Sequence, residues 1–232
     1  MMLRSVSRYG RGFVAAVAAA GVLAALQEQP VLAQSAKPNV VVILIDDMDV
    51  STVQTLLTAG LMPNLQKYFV DVGVAFPEAY ATSALGGPSR ATLLTGQYPH
   101  NHGVLGNYPP IGGITKLNQY STLATWMNNA GYYTALVGRY VTGYGWWTDP
   151  RAVPPGWDDW NALIEPGAYS MRNYSMNLNR TILDFGALAT ATGFDLYQTD
   201  VLSAVPAAGC TRTTSRSDRT ARPILDLQNA DL

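Results

Sequence analysis

Lys37-Pro-Asn-Val-Val-Val-Ile-Leu-Ile-Asp-Asp47 decides the fold class. The stretch over residues 39–45, aliphatic without a break from Val40, is what a parallel strand buried on both faces requires, and it stops abruptly at two carboxylates. Parallel neighbours need crossovers, and the chain downstream alternates helical and extended patterns. Residues 62–72 carry Leu65, Tyr68, Phe69 and Val72 at helical spacing behind Pro63, which suits a first turn. Residues 74–80 read as a short second strand. Pro88 opens a helix through Leu94 that Gly96 closes, and Ser121 stands ready to cap a helix bearing Leu123, Trp126, Met127 and Ala130. Residues 132–137 read as a third strand. The expectation is an α/β fold with a mainly parallel sheet flanked by helices. Function then belongs at the carboxyl ends of the strands.

At 232 residues with 48% hydrophobic side chains, the chain can bury one sizeable core. A net charge of −1 gives no overall field to draw nucleic acid or an anionic membrane, so neither is an expected partner. Cys210 is the sole cysteine, which excludes an intrachain disulfide and a cysteine-rich metal site. Arg4, Arg8 and Arg11 precede an apolar run over residues 13–26, and Val31-Leu32-Ala33 follows. That pattern predicts a secretory signal peptide over residues 1–33, because the run, about 14 residues long, falls short of the ~20 that span a bilayer. The mature chain is expected to be secreted or periplasmic, without membrane attachment. Residues 144–174 are rich in Trp, Pro, Gly and Tyr and read as a long loop, open to ligand contact or to packing. From Ala204 the texture turns to Thr, Arg and Ser, with Arg212, Arg216, Arg219 and Arg222, so residues 204–232 are expected to be a disordered tail.

Asp46 and Asp47 close the first strand, and adjacent carboxylates facing a cleft repel unless a cation lies between them. A solvated strand end is the plainer reading. The second informative stretch is Ser83-Ala-Leu-Gly-Gly-Pro-Ser-Arg-Ala-Thr-Leu-Leu-Thr-Gly96, extended by Tyr98-Pro-His-Asn-His102. Met62-Pro-Asn-Leu-Gln-Lys67, Thr122-Leu-Ala-Thr-Trp126, Gly138-Arg-Tyr140 and Tyr197-Gln-Thr-Asp-Val-Leu202 complete an ordered set.

These motifs resemble the sulfatase family of the alkaline-phosphatase-like superfamily, over residues 37–202. Within it, Gly143-Tyr-Gly145 and Val153-Pro-Pro-Gly-Trp157 look most like the N-acetylglucosamine-6-sulfatase branch. The resemblance implies a sulfuric ester hydrolase acting on sulfated carbohydrate of the glycosaminoglycan type, with Ca²⁺ on Asp46 and Asp47. Two residues before Pro-Ser-Arg the family carries a Cys that is oxidised to formylglycine, the catalytic aldehyde. Here that position is Gly86, which has no side chain to oxidise. Ser89 belongs to the motif read by the modifying enzyme, and Arg90 is implied to brace nucleophile and metal. Arg139 stands where a sulfate-binding Lys is usual, a change from point charge to planar fork. His102 is implied to line the pocket.

The family's later metal ligands come from a C-terminal stretch for which no counterpart is found here, so the core is expected to be incomplete at that end and Ca²⁺ binding weak or absent. Three readings follow: a hydrolase, a non-catalytic binder of sulfated glycan holding it through Arg90 and Arg139, and a truncated product without function.

Overall fold

The computed structural model describes residues 37–186, 196–212 and 224–229. The expected signal peptide and residues 213–223 and 230–232 of the expected tail lie outside the described residues.

The first strand forms as expected: β1 is Val41–Asp46. α1 (Val50–Thr58) follows, capped by Asp49, whose Oδ1 accepts from the Thr52 N–H at 2.8 Å. α2 (Pro63–Leu65) runs on as a π-turn over Gln66–Val70. The strand expected at 74–80 does not form. Val74, Phe76 and Tyr80 stand exposed with no neighbouring strand among the described residues, and Pro77 removes an N–H from the run. α3 (Gly86–Thr95) begins two residues before Pro88, and Gly96, in the left-handed region at φ 65°, ends it. α4 (Pro99–His102) is a single turn. α5 (Leu123–Asn129) is capped by Thr122, one residue later than expected, through a reciprocal capping box with Thr125.

β2 (Ala135–Gly138) and β3 (Asp159–Leu163) follow, then β4 (Tyr174–Leu178) and β5 (Thr181–Phe185). Asn179 and Arg180, both with positive φ, make the two-residue turn between β4 and β5. α6 (Gln198–Arg212) and β6 (Ile224–Asn229) end the described chain.

The six strands form one sheet in the order β1-β6-β2-β3-β4-β5. The pairs β1·β6, β6·β2 and β2·β3 are parallel, and the hairpin β4·β5 is added antiparallel to β3. Two expectations are corrected here. Residues 144–174 are not one long loop, since β3 lies within them. Nor is the whole of 204–232 a tail outside the domain: α6 runs to Arg212, and Ile224–Asn229 is seated between β1 and β2. A strand with neighbours on both sides satisfies its backbone on two ladders, and six residues are too few to register in composition.

Two clusters cover the sheet. On one face Leu136, Trp160 and Ala162 pack with Ala91 and Leu94 of α3 and with Tyr140 and Tyr144. On the other, Val137, Leu163 and Met176 meet Leu202 of α6. Three aromatic residues of the expected loop, Tyr144, Trp157 and Trp160, belong to the first cluster and pack with Tyr140 at ring separations of 5.0–6.4 Å. β1 departs from the expectation of two buried faces. Val42 and Leu44 lean on the first cluster, whereas Val41 and Ile43 are 57% and 48% exposed on the opposite side.

Candidate functional site

Three parallel strands deliver their carboxyl ends to one place. Asp46 is the last residue of β1, Arg139 follows β2 directly, and Glu165 lies two residues beyond β3. α3 brings Gly86 and, one turn on, Arg90 against the same spot. Residues 44 apart in sequence thereby form an ion pair, Arg90 Nη2 donating to Asp46 Oδ2 at 2.7 Å. Arg139 Nη1 approaches that same carboxylate oxygen at 3.6 Å.

Arg139 is fixed from the other side by Glu165. Its Nε donates to Glu165 Oε1 at 3.0 Å, and Nη2 lies 3.0 Å from the same oxygen. Glu165 Oε2 accepts from the Gly143 N–H at 2.9 Å. Tyr169 completes the mount: its ring lies under the guanidinium at 4.0 Å, and its hydroxyl is hydrogen-bonded to Nη2. Burial pushes the Tyr169 phenol above its ordinary value. The cluster is therefore a chain of alternating charge, Arg90–Asp46–Arg139–Glu165, with two cations and two anions.

Arg90 and Arg139 are 2% and 4% exposed, deep for charged side chains. Burial, with the positive charge of Arg139, lowers the Arg90 guanidinium's proton affinity, while Asp46 raises it. Among the described residues Nε and Nη1 of Arg90 have no acceptor. Gly86 is the other half of this corner. A Cβ built on it would stand 2.8 Å from Arg90 Nη1 and 3.9 Å from Cζ, the first being closer than carbon approaches nitrogen in a folded protein.

The other expected site residues fall differently. Asp47 is exposed and adopts φ 56°, a left-handed conformation that non-glycine residues adopt at a cost. His102 is held inside the unit of α3 and α4: Nε2 lies 3.2 Å from Thr92 Oγ1, and Nδ1 accepts from the Val104 N–H at 3.1 Å. Burial keeps its imidazole below the usual histidine range. Ser89 occupies the first turn of α3, its N–H donating to the Leu85 carbonyl. Glu165 and Tyr169 were missed in the sequence, where they sit in a Pro/Gly-rich stretch with no periodicity. Only the pairing of a lone carboxylate with the unpaired Arg139 could have suggested Glu165.

A calcium ion does not fit this donor set. Among the described residues no group of three His, Cys, Asp or Glu side chains could hold a metal. Asp46 is already engaged by two guanidinium groups, which leaves Asp47 as the one unengaged member of the pair, against the 6–8 oxygens the ion takes. No described helix is long and apolar enough to cross a membrane.

The Sulfatase family model matches residues 38–184. N-acetylglucosamine-6-sulfatase of Homo sapiens is 34% identical over 187 residues, 75% of this chain and 31% of that protein. Extracellular sulfatase SULF-1 homolog of Drosophila melanogaster is 37% identical over 149 residues, 63% of this chain and 12% of that protein. The chain thus spans less than a third of the length of either relative. Among solved structures, BT4656 in complex with its substrate D-glucosamine-2-N,6-O-disulfate superposes with a TM-score of 0.62. That match has 22% identity and covers 84% of this chain and 35% of BT4656, a likeness of fold. With the motifs in order and the family model spanning more than half its length, this chain belongs to the sulfatase family.

Proposed function

We propose that this chain carries the sulfate-recognition part of a sulfuric ester hydrolase for sulfated, glycosaminoglycan-type carbohydrate, without the residue that performs hydrolysis. One observation supports the recognition reading above all: Arg90 and Arg139 converge on one carboxylate at the carboxyl ends of the strands, beside position 86. Guanidinium groups hold sulfate oxygens with charge-assisted hydrogen bonds, and a buried setting strengthens each of them. To engage a sulfate they must exchange Asp46 for it. Asp46 is the most open member of the cluster, with a side chain 31% exposed, so it is the one that moves.

Hydrolysis needs a nucleophile in line with sulfur, and Gly86 offers none. Ca²⁺, which the family's chemistry uses to offset sulfate charge, is weak or absent here. His102 in this reading borders the pocket through α4 and transfers no proton. The relatives named extracellular suit a secreted or periplasmic chain whose residues 1–33 are removed as a signal peptide. The test is a paired assay on the purified protein. Sulfate release from a chromogenic sulfate ester is expected at background, before and after treatment with formylglycine-generating enzyme. Retention on immobilised sulfated glycan is expected to exceed retention on the desulfated glycan, and to fall in Arg139→Gln. Robust release by the unmodified chain would place the nucleophile elsewhere, and equal retention on both glycans would remove the recognition role.

A further inference from the structure

The misfit of calcium has a cause in this chain's own residues. We propose that Gly86 converts the corner into an arginine-closed, cation-free centre. The Arg90 guanidinium takes the space that any side chain at position 86 would claim, and from there it occupies Asp46. The glycine is required for this placement, because a Cβ there would lie 2.8 Å from Arg90 Nη1. The contact is with the far end of a flexible side chain, so a residue larger than glycine displaces Arg90 and not the backbone.

Among the described residues no second hydrogen bond secures the guanidinium there. Nε and Nη1 are buried without acceptors, so Asp46, at 2.7 Å from Nη2, is the contact that holds it. Asp46 Oδ2 in turn faces Arg139 Nη1 at 3.6 Å, and a divalent ion nearing that oxygen meets two fixed positive charges. Asp46 and Glu165 already balance Arg90 and Arg139, and no charge is left in the cluster for a cation to neutralise. The inference concerns the site's own charges and stands whether or not sulfated glycan binds.

Lanthanide and calcium titration of the full chain, followed by calorimetry, tests it. Wild-type protein is expected to show no saturable Tb³⁺ or Ca²⁺ binding at this site. Gly86→Ala and Arg90→Gln each release Asp46 from Arg90, leaving Arg139 at 3.6 Å as its one guanidinium neighbour, and are expected to bind Tb³⁺ at least about tenfold more tightly than wild type. Adding Asp46→Asn to either variant is expected to abolish the gain. Should Arg90→Gln fail to fold, Gly86→Ala carries the test with the arginine still present. Saturable wild-type binding that disappears in Asp46→Asn would overturn the inference. So would folded Gly86→Ala protein that binds no better than wild type. Glycan retention is read in a separate assay, so failure of the recognition reading and failure of this one are told apart.

Discussion

Replacing Glu165 by Gln isolates the anchoring of Arg139. The carboxylate is 3% exposed and accepts from Arg139 on one oxygen and from the Gly143 N–H on the other. Glutamine keeps the shape but offers one acceptor, so its amide nitrogen must face either a guanidinium or an N–H. One donor then meets another donor, and Arg139 loses its main counter-charge. Removing one partner from a buried ion pair costs about 3–5 kcal/mol. Asp46, still 3.6 Å from Arg139, puts the expected cost at the low end, about 3 kcal/mol. In a chain of this size each kcal/mol moves the melting temperature by about 2–4 °C, so a fall of roughly 6–12 °C is expected. Urea unfolding followed by circular dichroism checks this, with the midpoint shifting and the slope unchanged. A companion variant, Arg139→Met with Glu165→Met, replaces both charges and is expected to cost less than Glu165→Gln alone. A single-variant cost below about 1 kcal/mol, or a double variant equal to the sum of its singles, would refute the reasoning.

Two further outcomes are expected. The Tyr144 hydroxyl accepts from Trp160 Nε1 at 2.8 Å and from Asn177 Nδ2 at 2.7 Å. Tyr144→Phe strands the indole donor, while Asn177 keeps the Pro150 carbonyl at 2.9 Å, so a loss of about 1–3 kcal/mol is expected. Unfolding followed by tryptophan fluorescence reads it, and wild-type stability would show that the hydroxyl is dispensable. For His102, burial depresses the folded-state value, so on acidification the unfolded chain takes the proton first. The contribution is present above about pH 6.5 and is lost as pH falls through the depressed value. His102→Asn is expected to flatten the decline of the urea midpoint across that range, and an unchanged decline would exclude His102 as its source.

What the sequence made legible was whatever its local pattern encodes. β1, α3 and α5 announce themselves by an aliphatic run, a proline in the first turn or a Ser beside the true cap, and each forms within a few residues of expectation. The meeting of Asp46 and Arg139 has a different reason, since ends of parallel strands share one side of the sheet, whereas Arg90, on α3, was legible only through the family motif it belongs to. Tertiary context hid the rest. Residues 74–80 have strand composition but no partner, and a strand is stable only in a ladder. β3 and β6 show the converse, short segments of mixed composition that neighbours complete. The N-cap of α1 was available in Asp49 and Thr52 but followed too closely on the acidic pair to stand out. Glu165 is invisible from sequence because its significance depends on Arg139, 26 residues earlier.

Position 86 acts on the chemistry twice, and helix geometry is why. Residues 86 and 90 are four apart in α3, a spacing that places side chains on the same helix face one turn apart. A side chain at 86 and the Arg90 guanidinium therefore compete for one volume, which in this chain the arginine holds because its competitor is a single hydrogen. In the proposed reading, the absence of a nucleophile and the closure of Arg90 over Asp46 both follow from the glycine at position 86, but they are separable. Alanine restores the competition without restoring a group that can attack sulfur. Cysteine restores the competition together with the residue that the formylglycine motif requires. If Gly86→Ala and Gly86→Cys alter cation binding alike, while Gly86→Cys alone becomes a substrate for the modifying enzyme, closure is steric and the missing reactivity is chemical. If alanine leaves cation binding as it was and cysteine changes it, the thiol is itself a ligand, and steric competition is not what keeps Asp46 with Arg90.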